Sequence, residues 1–117
     1  MNLMDLVEAV WSHDALTARE WVSDAIRQQV RWVVVPCPLG LSPEKLALAA
    51  GMAELLAQRQ GAESPAWAKQ VPASPRKIFL VKAAESMPRL RRLCEEEGPE
   101  PLRRRRLFAP PEFLTVA

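Results

Sequence analysis

Leu3, Leu6, Val7, Val10 and Trp11 recur at spacings of three and four, with Asp5, Glu8 and Ser12 between them. That period puts the apolar residues on one side of a short amphipathic helix, which Ser12-His13-Asp14 interrupts. A second helix starts at Asp14 or at Thr17, where Thr17 and Glu20 have the spacing of a capping box. Trp21, Val22, Ala25, Ile26, Val30 and Val33 fall on its apolar arc, opposite Glu20, Asp24, Arg27 and Arg31. The run Trp32-Val33-Val34-Val35 either finishes that helix or leaves it as a short extended strand. Pro36 ends both options, because it pushes Val35 out of the α region.

Ser42-Pro43-Glu44 is a strong helix start: a hydroxyl cap, a proline at the first helical position and an acid at the positive end of the dipole. This helix is expected to run to about Gln60, with Gly61 as its C-terminal cap. Leu46, Ala49, Ala50, Ala53, Leu56 and Ala57 form one apolar face; Leu48, Met52 and Leu55 form a second stripe on the opposite side. A helix apolar on two sides is either central in its fold or offers one side to a partner. In a domain this small the central position is favoured, yet Leu48, Met52 and Leu55 remain candidate partner contacts.

Beyond residue 61 the pattern breaks into shorter pieces. Ser64-Pro65-Ala66-Trp67 opens a short helix that ends near Val71-Pro72, and residues 72–77 read as a loop. Ile78-Phe79-Leu80-Val81 is an apolar run that length alone assigns neither to helix nor to strand. Ser86 and Pro88 open a helix through Leu90, Leu93 and Cys94 to Gly98, and Glu100-Pro101 opens a short basic helical turn. Pro110 and Pro111 then break the chain before Phe113 and Leu114, which are expected to tie the C-terminus onto the body. The expected fold is mainly α: a single-domain helical bundle of about five to six helices over 1–117. Longer amphipathic helices occupy 1–61, and Pro-punctuated pieces with a basic C-terminal segment and room for one short extended segment occupy 62–117.

Composition supports a folded chain, since 49% hydrophobic and 26% charged residues do not leave it disordered. With 117 residues it can bury one modest core. Ten of the eleven prolines follow residue 37 or lie at Pro38 and beyond, and the remaining one is Pro36, so only the first 35 residues are free of them. The net charge of +2 is unevenly placed. Residues 1–60 carry seven acids and five bases, whereas residues 61–117 carry seven acids and eleven bases. The N-terminus lacks the basic region of a signal peptide, and no stretch approaches the ~20 apolar residues of a membrane span. Two cysteines, Cys37 and Cys94, make no disulfide framework. The expected setting is the reducing cytoplasm, away from membranes, with both thiols acting as small hydrophobes.

Candidate chemistry is sparse. The chain has one histidine, His13, and no tyrosine. A zinc site needs three or four closely spaced ligands, so no metal and no cofactor is expected. The four glycines are too far apart for a phosphate loop. A Cys–His pair between His13 and either thiol carries little weight beside a capping or polar role for His13, and no enzyme activity is expected. The most suggestive feature is Arg103-Arg104-Arg105-Arg106, followed by Leu107 and Phe108. Guanidinium forks engage phosphates or an acidic protein surface in bidentate pairs. At even odds stands internal pairing with Glu95, Glu96, Glu97 and Glu100, which are near in sequence.

The ordered features after residue 60 are Pro65-Ala66-Trp67, an apolar run, a Leu90-Arg91 helix, Pro101-Leu102-Arg103-Arg104-Arg105-Arg106-Leu107-Phe108 and a closing Phe113-Leu114. This order resembles small bacterial proteins, and the C-terminal portions of helix-turn-helix antitoxins, found beside nucleotidyltransferase-fold toxins. The resemblance implies an antitoxin-like role: binding a cognate toxin and laying the basic segment over its acidic metal- or nucleotide-binding pocket. The chain departs from that pattern in having no N-terminal helix-turn-helix module, which puts operator binding in doubt. The reading from sequence is therefore a non-catalytic protein-binding module contacting its partner through Arg103 to Arg106, Leu107, Phe108, Leu48, Met52 and Leu55. The alternative is a nucleic-acid-binding accessory protein that uses the arginine run.

Overall fold

A computed structural model describes residues 2–116. Five α-helices carry the fold: α1 (Leu3–Trp11), α2 (Ala15–Arg27), α3 (Pro43–Arg59), α4 (Pro88–Glu97) and α5 (Glu100–Arg103). Three 3-10 segments, Trp32–Val34, Ala66–Gln70 and Lys82–Glu85, turn the chain between them. Two short strands, β1 (Ile78–Phe79) and β2 (Leu107–Phe108), pair in parallel, with Ile78 opposite Leu107 and Phe79 opposite Phe108. The mainly α expectation is met, and 78–81 resolves into the strand β1 followed by the buried Leu80. Among the described residues no helix is long and apolar enough to cross a membrane.

α3 is the central element. Every residue from Ala47 to Ala57 is buried, so neither of its apolar stripes faces solvent. α1 and α5 pack on it, as does the 3-10 turn Ala66–Gln70. Small residues make this possible, because five alanines and Gly51 let neighbours approach the α3 backbone from several sides. At Gly51 the fit is tightest: a Cβ there would lie 2.7 Å from Leu102 Cδ2 and 3.3 Å from the Pro101 carbonyl oxygen. Ser42 caps the helix by accepting from the Lys45 N–H, as the Ser-Pro-Glu signal predicts.

The helix ends follow one device. After α1, Asp14 N–H donates to the Ala9 carbonyl and His13 N–H to Val10, with His13 at φ 61°. After α2, Val30 donates to Ala25 and Gln29 to Ile26, with Gln29 at φ 52°. After α3, Ala62 donates to Ala57 and Gly61 to Gln58, with Gly61 at φ 64°. Each is a Schellman cap, in which a left-handed residue lets its own N–H and that of the next residue satisfy the last carbonyls. Only the third uses glycine.

This capping decides one sequence expectation between its two alternatives and corrects another. The α2 helix begins behind Asp14, whose side chain accepts from the Thr17 N–H, so the Thr17–Glu20 box lies inside the helix. It also stops at Arg27 instead of running to Val33. The break rotates the apolar arc: Val22 and Ala25 are buried, Trp32 is fully buried, and Ile26 and Val33 are left exposed. Trp11, Trp21 and Trp67 are half-buried and pack against the core. The indole N–H of Trp67 donates to the Val35 carbonyl at 2.8 Å.

Two substitutions test this account by urea denaturation. Gln29→Gly removes the penalty of a left-handed side-chain residue, about 1–2 kcal/mol, at the cost of glycine's extra chain entropy. It should stabilise the fold by about 0.5–1 kcal/mol. Gly51→Ala should destabilise it by about 1–2 kcal/mol, since crowding against Leu102 and Pro101 outweighs the gain in helix propensity.

Candidate functional site

Of the arginine run, Arg105 is buried, Arg103 is half-buried, and Arg104 and Arg106 are exposed. It begins in α5 and continues through a tight turn into β2. Arg105 is 4% exposed. It donates through Nη1 to the Pro101 carbonyl at 2.9 Å and through Nη2 to the Ala68 carbonyl at 2.7 Å, and it pairs through Nη2 with Glu54 on α3. Arg104 reaches the same Glu54 oxygen at 2.5 Å and Glu100 Oε2 at 3.5 Å. Arg103 donates to the Glu96 carbonyl at 2.7 Å, at the C-terminal end of α4, where a cation suits the helix dipole. Arg106 donates to the Pro75 carbonyl at 3.1 Å and sits at φ 64°, which swings the chain out of the helical turn and into β2. Leu107 is buried and Phe108 half-buried.

The four guanidiniums thus have partners within the chain. The even-odds expectation of internal pairing names the right behaviour and mostly the wrong acids. Glu100 takes part, Glu96 contributes its carbonyl, and Glu95 pairs instead with Lys77 at 2.8 Å. The main partner is Glu54, fifty residues away in sequence. Of the other expected partner contacts, Leu48 and Met52 are fully buried and Leu55 is 4% exposed, so the second stripe of α3 is core. These residues meet other parts of the same chain because α3 is covered on all sides.

The two arginines on Glu54 feel that carboxylate differently. The Glu54 hydrogen bond pushes the Arg104 pKa up, because it favours the charged form. Burial pulls the Arg105 pKa down, and this outweighs the opposing attraction of Glu54. Both remain cationic at neutral pH. The ensemble is a charge cluster with the buried Glu54 and Arg105 at its centre and the exposed Arg104 and Glu100 at its edge.

Two of the surface clefts lie beside the groups described above. The first, of about 370 Å³, lies between the α1–α2 turn, residues Leu80–Ala83 and the C-terminal segment Pro110–Leu114. Val10, Ala18, Leu80 and Leu114, all buried, make its apolar lining, and Asp14, Arg19, Lys82 and Glu112 stand around it with both signs of charge. Two of the four left-handed non-glycine residues, His13 and Leu114, line it. A left-handed leucine is rare, since a bulky side chain crowds the following carbonyl there. Arg59 of α3 holds that wall in place through the Phe113 carbonyl at 2.5 Å and the Pro111 carbonyl at 3.3 Å. The Asp14 carboxyl on the rim is held below its ordinary pKa by its hydrogen bond to Thr17.

The second cleft, of about 320 Å³, is polar and is lined by Glu54, Lys69, Val71, Ala73, Arg104 and Arg105. Among the described residues no group of His, Cys, Asp and Glu side chains is placed to hold a metal ion. Cys94 is buried with its thiol pKa raised, first by desolvation and then by Glu112. Cys37 is half-buried and also free.

No family model, curated protein or solved structure matches this chain. Sequence reading missed the apolar cleft, because its walls come from residues 10–19, 80–83 and 110–114. The one local signal was the pair Phe113-Leu114 after two prolines, which marked a segment returning to the body.

Removing one member of the charge cluster should expose its interdependence. Glu54→Ala strands the buried Arg105 charge and should cost about 3–5 kcal/mol. The double replacement Glu54→Met with Arg105→Met should cost much less than the sum of the two single replacements. Urea denaturation of the single and double variants gives the coupling directly.

Proposed function

We propose that this protein is a non-catalytic protein-binding module that receives an apolar anchor of a cognate protein in the cleft between the α1–α2 turn and the C-terminal segment. The observation that carries this reading is the cleft itself: about 370 Å³, apolar within and charged around the rim. Interfaces draw most of their affinity from a few large side chains seated in such recesses, with polar groups around them setting orientation. A space of that size accepts one or two side chains such as Leu or Phe from a partner. Exposed Val33 and Val34, and Leu39 at 83% exposure, offer further apolar surface on the connection between α2 and α3.

The finer form of the proposal is antitoxin-like. The partner is a toxin enzyme of the nucleotidyltransferase fold, and binding neutralises it in the cytoplasm. The resemblance of the C-terminal half supports that form. Its mechanism differs from the one the resemblance implies, since the arginines of 103–106 are engaged within the chain and the apolar cleft takes over as the docking element. The same engagement weakens the nucleic-acid reading of that run.

The test is co-purification of the tagged chain with the product of its adjacent gene, at low and high salt. A stoichiometric complex should survive high salt, because an apolar interface is little screened. Ala83→Trp, which fills the cleft from an exposed lining position, should weaken the complex about tenfold or more while leaving thermal stability unchanged. If only nucleic acid is retained and leaves as salt rises, or if Ala83→Trp binds as well as the parent, the reading is wrong.

A further inference from the structure

We propose that the second cleft is a phosphate-binding site, built by Lys69, Arg104 and Arg105 over Glu54. Three cations line it against one carboxylate. Glu100, outside the lining, takes a further edge of Arg104 at 3.5 Å, so the cleft keeps a positive surplus even when that acid is counted. Arg105 lines the cleft from within the fold, nine-tenths or more buried. A guanidinium N–H is strongly matched by an anionic oxygen. Lys69 is exposed on the 3-10 turn and pairs with no acid among the described residues. Its ammonium brings three donors.

The part played by Glu54 is to fix the two forks. One of its oxygens, Oε1, takes both guanidiniums, and the Pro101 and Ala68 carbonyls hold Arg105 from other sides. The donors are therefore ordered before any ligand arrives, which lowers the entropy cost of binding. A phosphate monoester carries close to two negative charges near neutral pH and three acceptor oxygens, a closer match to this donor set than a carboxylate with one charge and two oxygens. This site is separate from the apolar cleft and does not depend on it.

The experiment is an amide-resolved NMR titration of the full chain with inorganic phosphate, chloride being exchanged out to hold ionic strength constant. Saturable shifts at Lys69, Val71, Ala73, Arg104 and Arg105 are expected. Lys69→Gln should weaken binding about fivefold or more, whereas Arg89→Gln, an exposed cation on α4 outside both clefts, should leave it within about twofold. Ala83→Trp should bind phosphate as the parent does, which separates this site from the docking cleft. Two further arms find the source of the phosphate. A 5′-mononucleotide that binds more tightly than inorganic phosphate identifies a monoester, and a short single-stranded oligonucleotide without a terminal phosphate that does so identifies a diester backbone. If neither does, free phosphate is the ligand. Shifts that never saturate, equal losses in Lys69→Gln and Arg89→Gln, or acetate binding as strongly as phosphate would each overturn the assignment.

Discussion

The carboxylate of Glu54 on the central helix is the interaction on which the second half of the molecule depends. α3 is buried along eleven consecutive residues, and Glu54 is the one charged side chain among them. It lies three residues after Gly51, so the two share a face of the helix. Gly51 makes a notch into which Leu102 and the Pro101 carbonyl fit, and Glu54 one turn later receives Arg104 and Arg105. The same three-residue offset separates Leu102 from Arg105. A steric recess and a charge therefore fix both the position and the register of α5 on α3. Hydrophobic packing alone would allow α5, which has four residues, to slide. A buried ion pair adds little net stability over apolar replacements, so its main effect here is to select one docking.

Proline content bears on several of the other arginines. A proline contributes a carbonyl acceptor and no N–H donor, so a Pro-punctuated chain carries surplus acceptors. Arginine side chains meet that surplus. Arg59 donates to the Phe113 and Pro111 carbonyls, and Arg91 to Ala84 and Glu85. Arg103 donates to Glu96, Arg105 to Pro101 and Ala68, and Arg106 to Pro75. Three of the accepting carbonyls belong to prolines. Irregular backbone buried without such partners would be costly, and the guanidinium, with five donors on one rigid plane, suits the task better than an ammonium. Much of the basic excess of residues 61–117 is thus a structural requirement of their prolines.

The sequence makes the helices legible wherever the determinants are local. The Ser42-Pro43-Glu44 start, the Gly61 stop and the α1 face all depend on residues within a turn or two. The end of α2 is not legible in that way. Gln29 takes a left-handed role usually given to glycine, so nothing in the apolar period announces it, and the misplaced end puts Ile26 and Val33 on the wrong side. The two faces of α3 could be read, but not what covers the Leu48–Met52–Leu55 stripe, because that covering comes from elements distant in sequence. The arginine run poses the same difficulty more acutely. Its neighbours in sequence are four glutamates, and proximity along the chain points to them, while a single glutamate fifty residues away takes the central place.

The apolar cleft inherits its shape from these same constraints. One wall ends in the left-handed His13 that caps α1, and the other in the left-handed Leu114 of the C-terminal segment. Neither conformation would persist without its surroundings. His13 is held because Asp14 and His13 close the last turn of α1, and Leu114 because its side chain is buried while Arg59 grips the two carbonyls before it. Strain of this kind is maintained only where the neighbouring structure over-determines it. Arg59 lies at the end of α3, and its hydrogen bonds to the Phe113 and Pro111 carbonyls tie the C-terminal segment to that helix. The cleft walls are therefore tied to the central helix at one end as α5 is tied to it at Glu54. Anything that shifts α3 along its axis would move the charge cluster and the cleft together.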